Sequence, residues 1–292
     1  MGLKVSKSRK IFNVFNYSFV GILSLTMVLP IIHILAKSFS SSSAVAEGKV
    51  IFWPVEFDLI NYQYVFQDAS IWRAFGITVL ITVVGTLINL IATASLAYPL
   101  SRPEYKGRRI ILLGVIFTMI FSAPLIPTYL VIKQLGMIDS LWALLIPNAI
   151  SAFNFIVMRS FFQQIPASLI DAARIDGCNE LGILTRIVLP YSKPVMATMT
   201  IFYGVYHWNS YQNALYFLND PRLYPLQVKL REMIQSDDLS IDVETTISTE
   251  FMNSTEGIQM ATIIIAIVPI LLLYPLLQKH FVKGVMLGSL KE

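Results

Sequence analysis

Six stretches of this chain contain no Asp, Glu, Lys or Arg and are apolar nearly throughout. They are Ile11–Ala36, Ala74–Leu100, Ile110–Ile132, Leu141–Met158, Pro194–Asn219 and Gly257–Gln278. Each approaches or exceeds the ~20 residues that a helix needs to cross a ~30 Å hydrocarbon layer. The runs are continuous rather than alternating, which argues for helices and against a barrel of strands. A helix also satisfies its own backbone polar groups, as lipid demands. The expectation is an all-α polytopic membrane protein with six transmembrane helices in one domain, residues 1–292. The fourth run is the shortest. The fifth is the most polar, and its second half is expected to leave the hydrocarbon.

Composition agrees with this. Only 14% of residues are charged and 55% are hydrophobic, at a mean hydropathy of +0.64, whereas a soluble domain carries about a quarter charged. The single cysteine, Cys178, excludes an internal disulfide and a cysteine-based metal site. The three histidines, His33, His207 and His280, are too scattered for a ligand pattern, so no metal is expected.

The connecting segments divide into two sets of opposite charge. The N-terminus, 101–109, 159–193 and the C-terminus together hold 15 Lys and Arg against 5 Asp and Glu. Segments 37–73, 133–140 and 220–256 hold 7 against 13. Lys and Arg are retained on the cytoplasmic side, so both termini and loop 159–193 are expected inside, and loop 220–256 outside. The net charge of +4 reflects this sorting and calls for no nucleic acid. A competing reading makes the N-terminus a cleaved leader, with Lys4, Lys7, Arg9 and Lys10 before an apolar run and Ala44-Val45-Ala46 as a small-residue site. The run is far longer than the 7–15 residues of a leader core.

Within loop 159–193 lies a polar, helix-forming island, DAARIDGCNELGILTRIVLP, from Asp171 to Pro190. Pro166 suits a first helical turn, and Ser168-x-x-Asp171 fits a capping box. Leu169, Ile170, Ala173 and Ile175 can line one side. Gly177 fits the left-handed position that ends a helix. A second piece, Asn179–Val188, is expected to run until Pro190 stops it. Ala172 and Ala173 are small enough for a partner's groove to approach the helix closely. Asp171 and Asp176 can accept hydrogen bonds from arginine or backbone donors there. The bland alternative is a helix pair that only covers the inner end of the bundle.

The pattern Asp-Ala-Ala-x-x-Asp-Gly, nine residues, Ile-x-Leu-Pro resembles the coupling-loop signature of bacterial ABC importer permeases. Asp171 stands where that family has Glu, and Cys178 where it has Ala. The tail, with Lys283, Gly284 and Gly288, resembles that of carbohydrate-uptake permeases similar to the maltose importer's smaller subunit, in the branch that takes complex oligosaccharides. The resemblance implies a type I importer permease fold with a cytoplasmic coupling helix, in the bacterial cytoplasmic (inner) membrane. It implies ATPase coupling through Asp171, Ala172, Ala173, Asp176, Gly177, Leu189 and Pro190, and an ATPase contact from Lys283, Gly284 and Gly288. A basic membrane anchor is the alternative for that tail. The implied partners are a second, different permease, two ATPase subunits and an extracytoplasmic solute-binding protein that delivers an oligosaccharide. The chain itself would bind no cofactor, with ATP and Mg held by the ATPases.

Polar side chains at membrane depth tend to mark pathways. Tyr206, His207, Trp208, Asn209, Tyr211 and Asn213 in the fifth segment, with Asn89 and Asn148, are candidates to line a sugar path. Tyr206, Asn209 and Asn213 fall on one helical stripe, and His207 and Tyr211 on the next. The alternative is that these residues glue helices together or sit in interfacial belts. No phosphate-binding G-x-x-x-x-G-K-[ST] loop, H-E-x-x-H or nucleophile elbow occurs, so the chain is not expected to be an enzyme. The competing function is an ion-coupled secondary carrier for a small polar solute. A membrane scaffold or sensor is a third.

Overall fold

The computed structural model describes residues 7–121, 123–239 and 256–272. Among them the ordered elements are helices, with one isolated antiparallel bridge between Ser40 and Phe57 and no strand. In chain order they are α1 (Lys7–Ser38), α2 (Ser42–Ala46), α3 (Ile60–Gln67), α4 (Ala69–Ser101), α5 (Arg108–Ile120), α6 (Leu125–Gln134), α7 (Trp142–Leu145) and α8 (Ala152–Gln163). Then follow α9 (Ala167–Ile175), α10 (Glu180–Ile183), α11 (Leu189–Tyr191), α12 (Lys193–Trp208), α13 (Gln212–Phe217), α14 (Leu226–Leu239) and α15 (Glu256–Leu272). Two helices, Ser8–Ser38 and Ala69–Ser101, are each long and apolar enough to cross a membrane, and α5 with α6 makes a third if that bent pair is one span.

Three of the apolar segments are not single helices. Segment 110–132 breaks before Pro124, whose extended backbone (φ −62°, ψ 158°) starts α6, because the residue before a proline is pushed out of the helical region. Segment 141–158 unwinds between α7 and α8, around Pro147, and restarts where the Ser151 side chain accepts from the Asn154 N–H. Segment 194–219 stops at Trp208 and resumes at Gln212. There the Asn209 side chain donates to the Val205 carbonyl at 2.9 Å, a local bond that competes with helix continuation.

The chain folds as two units, Met1–Ala69 with Leu230–Val268, and Ser70–Lys229 with Pro269–Glu292. In the first, Ala36, Ala44, Val45 and Val50 form a small buried cluster. The Ala44-Val45-Ala46 triplet thus belongs to a packed helix, α2. The buried Asn61 amide donates to the Ser38 and Ser40 carbonyls past the end of α1. Lys37 pairs with Glu256 at 2.5 Å.

In the second unit α4 is the central post. Its C-terminal third, Ala94 to Leu100, joins a cluster with Phe155, Met158, Phe162, Ile170, Ile183, Val188 and Met199. Its N-terminal half contributes Ile81 to another, with Ile132, Leu144, Phe217 and Val228. Loops of like charge class meet at the same end. Asp139 accepts from the N–H groups of Asn219 and Asp220 at 2.9 and 2.8 Å, joining segments 133–140 and 220–256. Arg102 donates to the Phe162 carbonyl, and Arg159 to the Leu100 carbonyl, both at 2.8 Å. Each arginine therefore caps the last turn of the other's helix, α4 or α8, where carbonyls lack helical partners.

Candidate functional site

The island forms two short helices joined at Gly177. α9 starts after Pro166, its N-cap, and no side-chain cap bond forms. The expected capping box is therefore absent, because Ser168 lies inside the first turn rather than at the cap. The helix ends as predicted at glycine. Gly177 has φ +82°, its N–H reaches the Arg174 carbonyl, and the Cys178 N–H reaches the Ala173 carbonyl, both at 3.0 Å. This pair of bonds is the Schellman arrangement that requires a left-handed residue.

Only part of the expected apolar side turns inward. Ile170 and Ala173 are buried against the bundle, whereas Leu169 is exposed and Ile175 is 86% exposed. Ala173 is thus a packing residue, and Ala172 alone of the alanine pair is open to a partner. Asp171, Asp176, Gly177 and Pro190 are exposed, and Leu189 is half-buried. The outer face of the knob consequently offers two carboxylates, a small residue and bare apolar surface.

Pro190 does not stop the second piece. After α10 the helix widens to a π turn over Leu184–Val188, and the Leu189 N–H bonds back to the Leu184 carbonyl. Widened turns of this kind recur at functional sites. The missing proline N–H is absorbed there, and the helix continues as α11 to Tyr191.

The knob is tied to the bundle by a polar cluster. Glu180 accepts from the Tyr98 hydroxyl at 2.6 Å with one carboxylate oxygen and from Arg174 Nε at 3.0 Å with the other. Arg174 also lies 3.6 Å from Asp171 and 3.7 Å from Glu104. The hydrogen bond from Tyr98 first, then Arg174, holds the Glu180 carboxyl below its ordinary range, while the bond to Glu180 raises Arg174.

The second candidate region lies along α4 between its two apolar clusters. Asn89, fully buried, donates to the Asn148 and Ala149 carbonyls at 2.6 and 2.9 Å. These are the carbonyls set free where the chain unwinds between α7 and α8. The Asn89 oxygen meets His207 Nε2 at 2.5 Å. Tyr203 receives the Ser151 N–H at 3.3 Å and meets Thr93 at 2.7 Å. Gly85 makes room for this seam, since a Cβ there would lie 2.5 Å from His207 Nε2.

Of the sugar-path candidates, Asn89, Asn148 and His207 come together, with Asn148 contributing its backbone. Trp208 is buried and meets Phe75 edge-on at 5.9 Å. Tyr206 and Asn213 are bonded to each other at 3.2 Å, although the helix between them is interrupted, so the expected continuous stripe is a contact across a bend. Asn209 is exposed and bonded to its own helix, and Tyr211 packs beside the cluster of Ile81 and Phe217. Gly85 entered no sequence-based site. A Gly and an Asn four apart on α4 would have been the signal. Lys283, Gly284 and Gly288 lie outside the described residues, as do residues 240–255 of segment 220–256.

Residues 105–287 match the family described as binding-protein-dependent transport system inner membrane component. The chain is 43% identical to Protein LplC of Bacillus subtilis (strain 168), over 98% of this chain and 97% of that protein. It is also 43% identical to the polygalacturonan/rhamnogalacturonan transport system permease protein YtcP of the same organism, over 97% and 99%. Among solved structures it resembles a chain of a bacterial ABC transporter involved in the import of the acidic polysaccharide alginate. The TM-score is 0.87 at 36% identity, over 96% of this chain and 100% of that one. The chain belongs to the binding-protein-dependent inner-membrane permease family and has the type I importer permease fold.

Proposed function

We propose that this family member is the permease subunit of an ATP-driven importer that carries an acidic oligosaccharide across the cytoplasmic membrane. The observation that carries the reading is the end-to-end similarity to carbohydrate permeases, together with a stiff knob that leaves one face uncovered. The polygalacturonan/rhamnogalacturonan permease and the alginate importer both serve acidic chains, which supports uronate oligomers as the substrate class. Family membership leaves the ion-coupled carrier without support.

The importer would combine this chain with a second, different permease, two ATPase subunits that hold ATP and Mg, and an extracytoplasmic binding protein. ATP hydrolysis belongs to those ATPases. Asp171, Ala172, Asp176 and Gly177 would form the surface seated in one of them, with Ala173, Leu189 and Pro190 shaping the knob from behind. Lys283, Gly284 and Gly288 would add a second contact. Closure of the ATPases on ATP moves the knob and rocks the bundle from inward- to outward-facing. The binding protein, meeting the acidic segment 220–256, then releases sugar into the cavity. The six apolar segments contain no Lys or Arg, so this chain would meet the sugar with amide, hydroxyl and aromatic groups such as Asn213 and Tyr206. The partner permease would supply the counter-charge.

The test is ATP hydrolysis by the reconstituted complex with its binding protein. Galacturonate oligomers should stimulate turnover and neutral maltodextrins should not. Turnover indifferent to the binding protein would end the reading.

A further inference from the structure

We infer that Glu180 is a positioning residue, a two-armed strut that passes motion of the docking helix α9 into the end of α4. The inference rests on the ATPase-coupling reading above and adds the route by which force enters the bundle. Glu180 sits in the first turn of α10, outside the docking surface, and its two oxygens serve two different elements. One takes the Arg174 Nε–H of α9 at 3.0 Å. The other takes the Tyr98 hydroxyl of α4 at 2.6 Å.

Both ends of the strut are themselves fixed. Tyr98 is 5% exposed and belongs to the apolar cluster of Phe155 and Met158. Arg102 lies over its ring, 5.4 Å from the centroid, and is anchored in turn on the Phe162 carbonyl. At the other end the Asn179 side chain caps α10 by accepting from the Gly182 N–H at 2.7 Å. Arg174 reaches Glu104, just beyond α4, as a second and longer tie at 3.7 Å.

Apolar contacts also join the knob to the bundle, through Ile170, Ala173 and Ile183. Such contacts are non-directional and allow sliding. Hydrogen bonds to a carboxylate fix distance and direction. The strut therefore converts a knob that is merely packed on the bundle into one that drags α4 with it.

The test is hydrogen–deuterium exchange on the full complex, with both permeases and the ATPases in lipid nanodiscs. Nucleotide-free and ATP–vanadate-trapped states are compared in wild type, Tyr98→Phe and Glu180→Gln. In wild type, trapping should change exchange in both 167–191 and 94–101. In Tyr98→Phe the change at 167–191 should persist, while that at 94–101 falls roughly five-fold, the worth of one ordinary hydrogen bond. Glu180→Gln keeps an acceptor for Tyr98 but loses the charge on Arg174, and should show a smaller loss. A full response at 94–101 in both variants would overturn the strut and leave the coupling reading intact. No nucleotide response at 167–191 in wild type would overturn the coupling reading, and the strut with it.

Discussion

His207 and Asn89 meet through one hydrogen bond, Nε2 to Oδ1 at 2.5 Å, across two helices and out of contact with solvent. The same Asn89 holds the Asn148 and Ala149 carbonyls with its amide. One side chain thus closes the backbone account of a broken helix. Irregular backbone at membrane depth is tolerated only where neighbours satisfy it.

Replacing Asn89 by Leu removes both donors and leaves two carbonyls and the imidazole unpaired. Each buried polar group so orphaned costs about 1–3 kcal/mol. We expect a clear fall in the melting temperature of the detergent-purified chain. His207→Ala leaves the backbone caps in place and should cost less. Equal losses would argue against the ranking.

Gly85 permits the seam sterically. A methyl group there would stand 2.5 Å from His207 Nε2 and 2.8 Å from Cδ2. Overpacking of this sort costs about 1–3 kcal/mol. Gly85→Ala should therefore lower thermal stability, whereas Gly114→Ala, with nothing within 4 Å, should not. Gly85→Ala with His207→Ala should recover part of the loss.

Gly177 is required for a different reason. A Cβ there meets nothing within 4 Å, but φ is +82°. A left-handed backbone costs an ordinary L-residue about 1–2 kcal/mol, and a β-branched one more. Uptake should fall in the order Gly, Asn, Ala, Val at 177 with membrane insertion unchanged. Normal uptake by Gly177→Val would remove the geometric argument for this turn.

Glu180 gives the knob a pH dependence. Its folded pKa lies below the ordinary 4.5, chiefly through the bond from Tyr98. The ionised form is the stabilised one. Its contribution is complete above about 4.5 and is lost as pH falls through the lower folded value. Exchange at 167–191, normalised to the intrinsic rate at each pH, should hold steady from neutral pH to about 4.5 and rise below it. Glu180→Gln should flatten that rise.

Much of this was readable from the residues because its causes are local. The helix break at Gly177 needs only a glycine after a helical run, and α9 follows Pro166. What failed was non-local or conditional. Ser168 fits a capping box by spacing, yet Pro166 takes the cap. Pro190 stops a regular helix, but the widened turn over Leu184–Val188 absorbs it. Ile175 shares a side with Ile170 on paper, but at about 100° per residue the two point far apart around α9, and only Ile170 is buried. The break at 146–151 depends on Asn89 and Tyr203, far away in sequence, being present to satisfy the freed backbone. No window of neighbouring residues carries that information.

The central claim is that the outer face of the α9–α10 knob is cytoplasmic and seated in an ATPase. A cysteine at Ala172, in a Cys178→Ser background, tests both parts in one experiment. The account predicts no labelling by an impermeant thiol reagent in intact cells and an oxidative or short-linker cross-link to an ATPase subunit in the assembled complex. Labelling from outside, or cross-links that never include an ATPase, would contradict it.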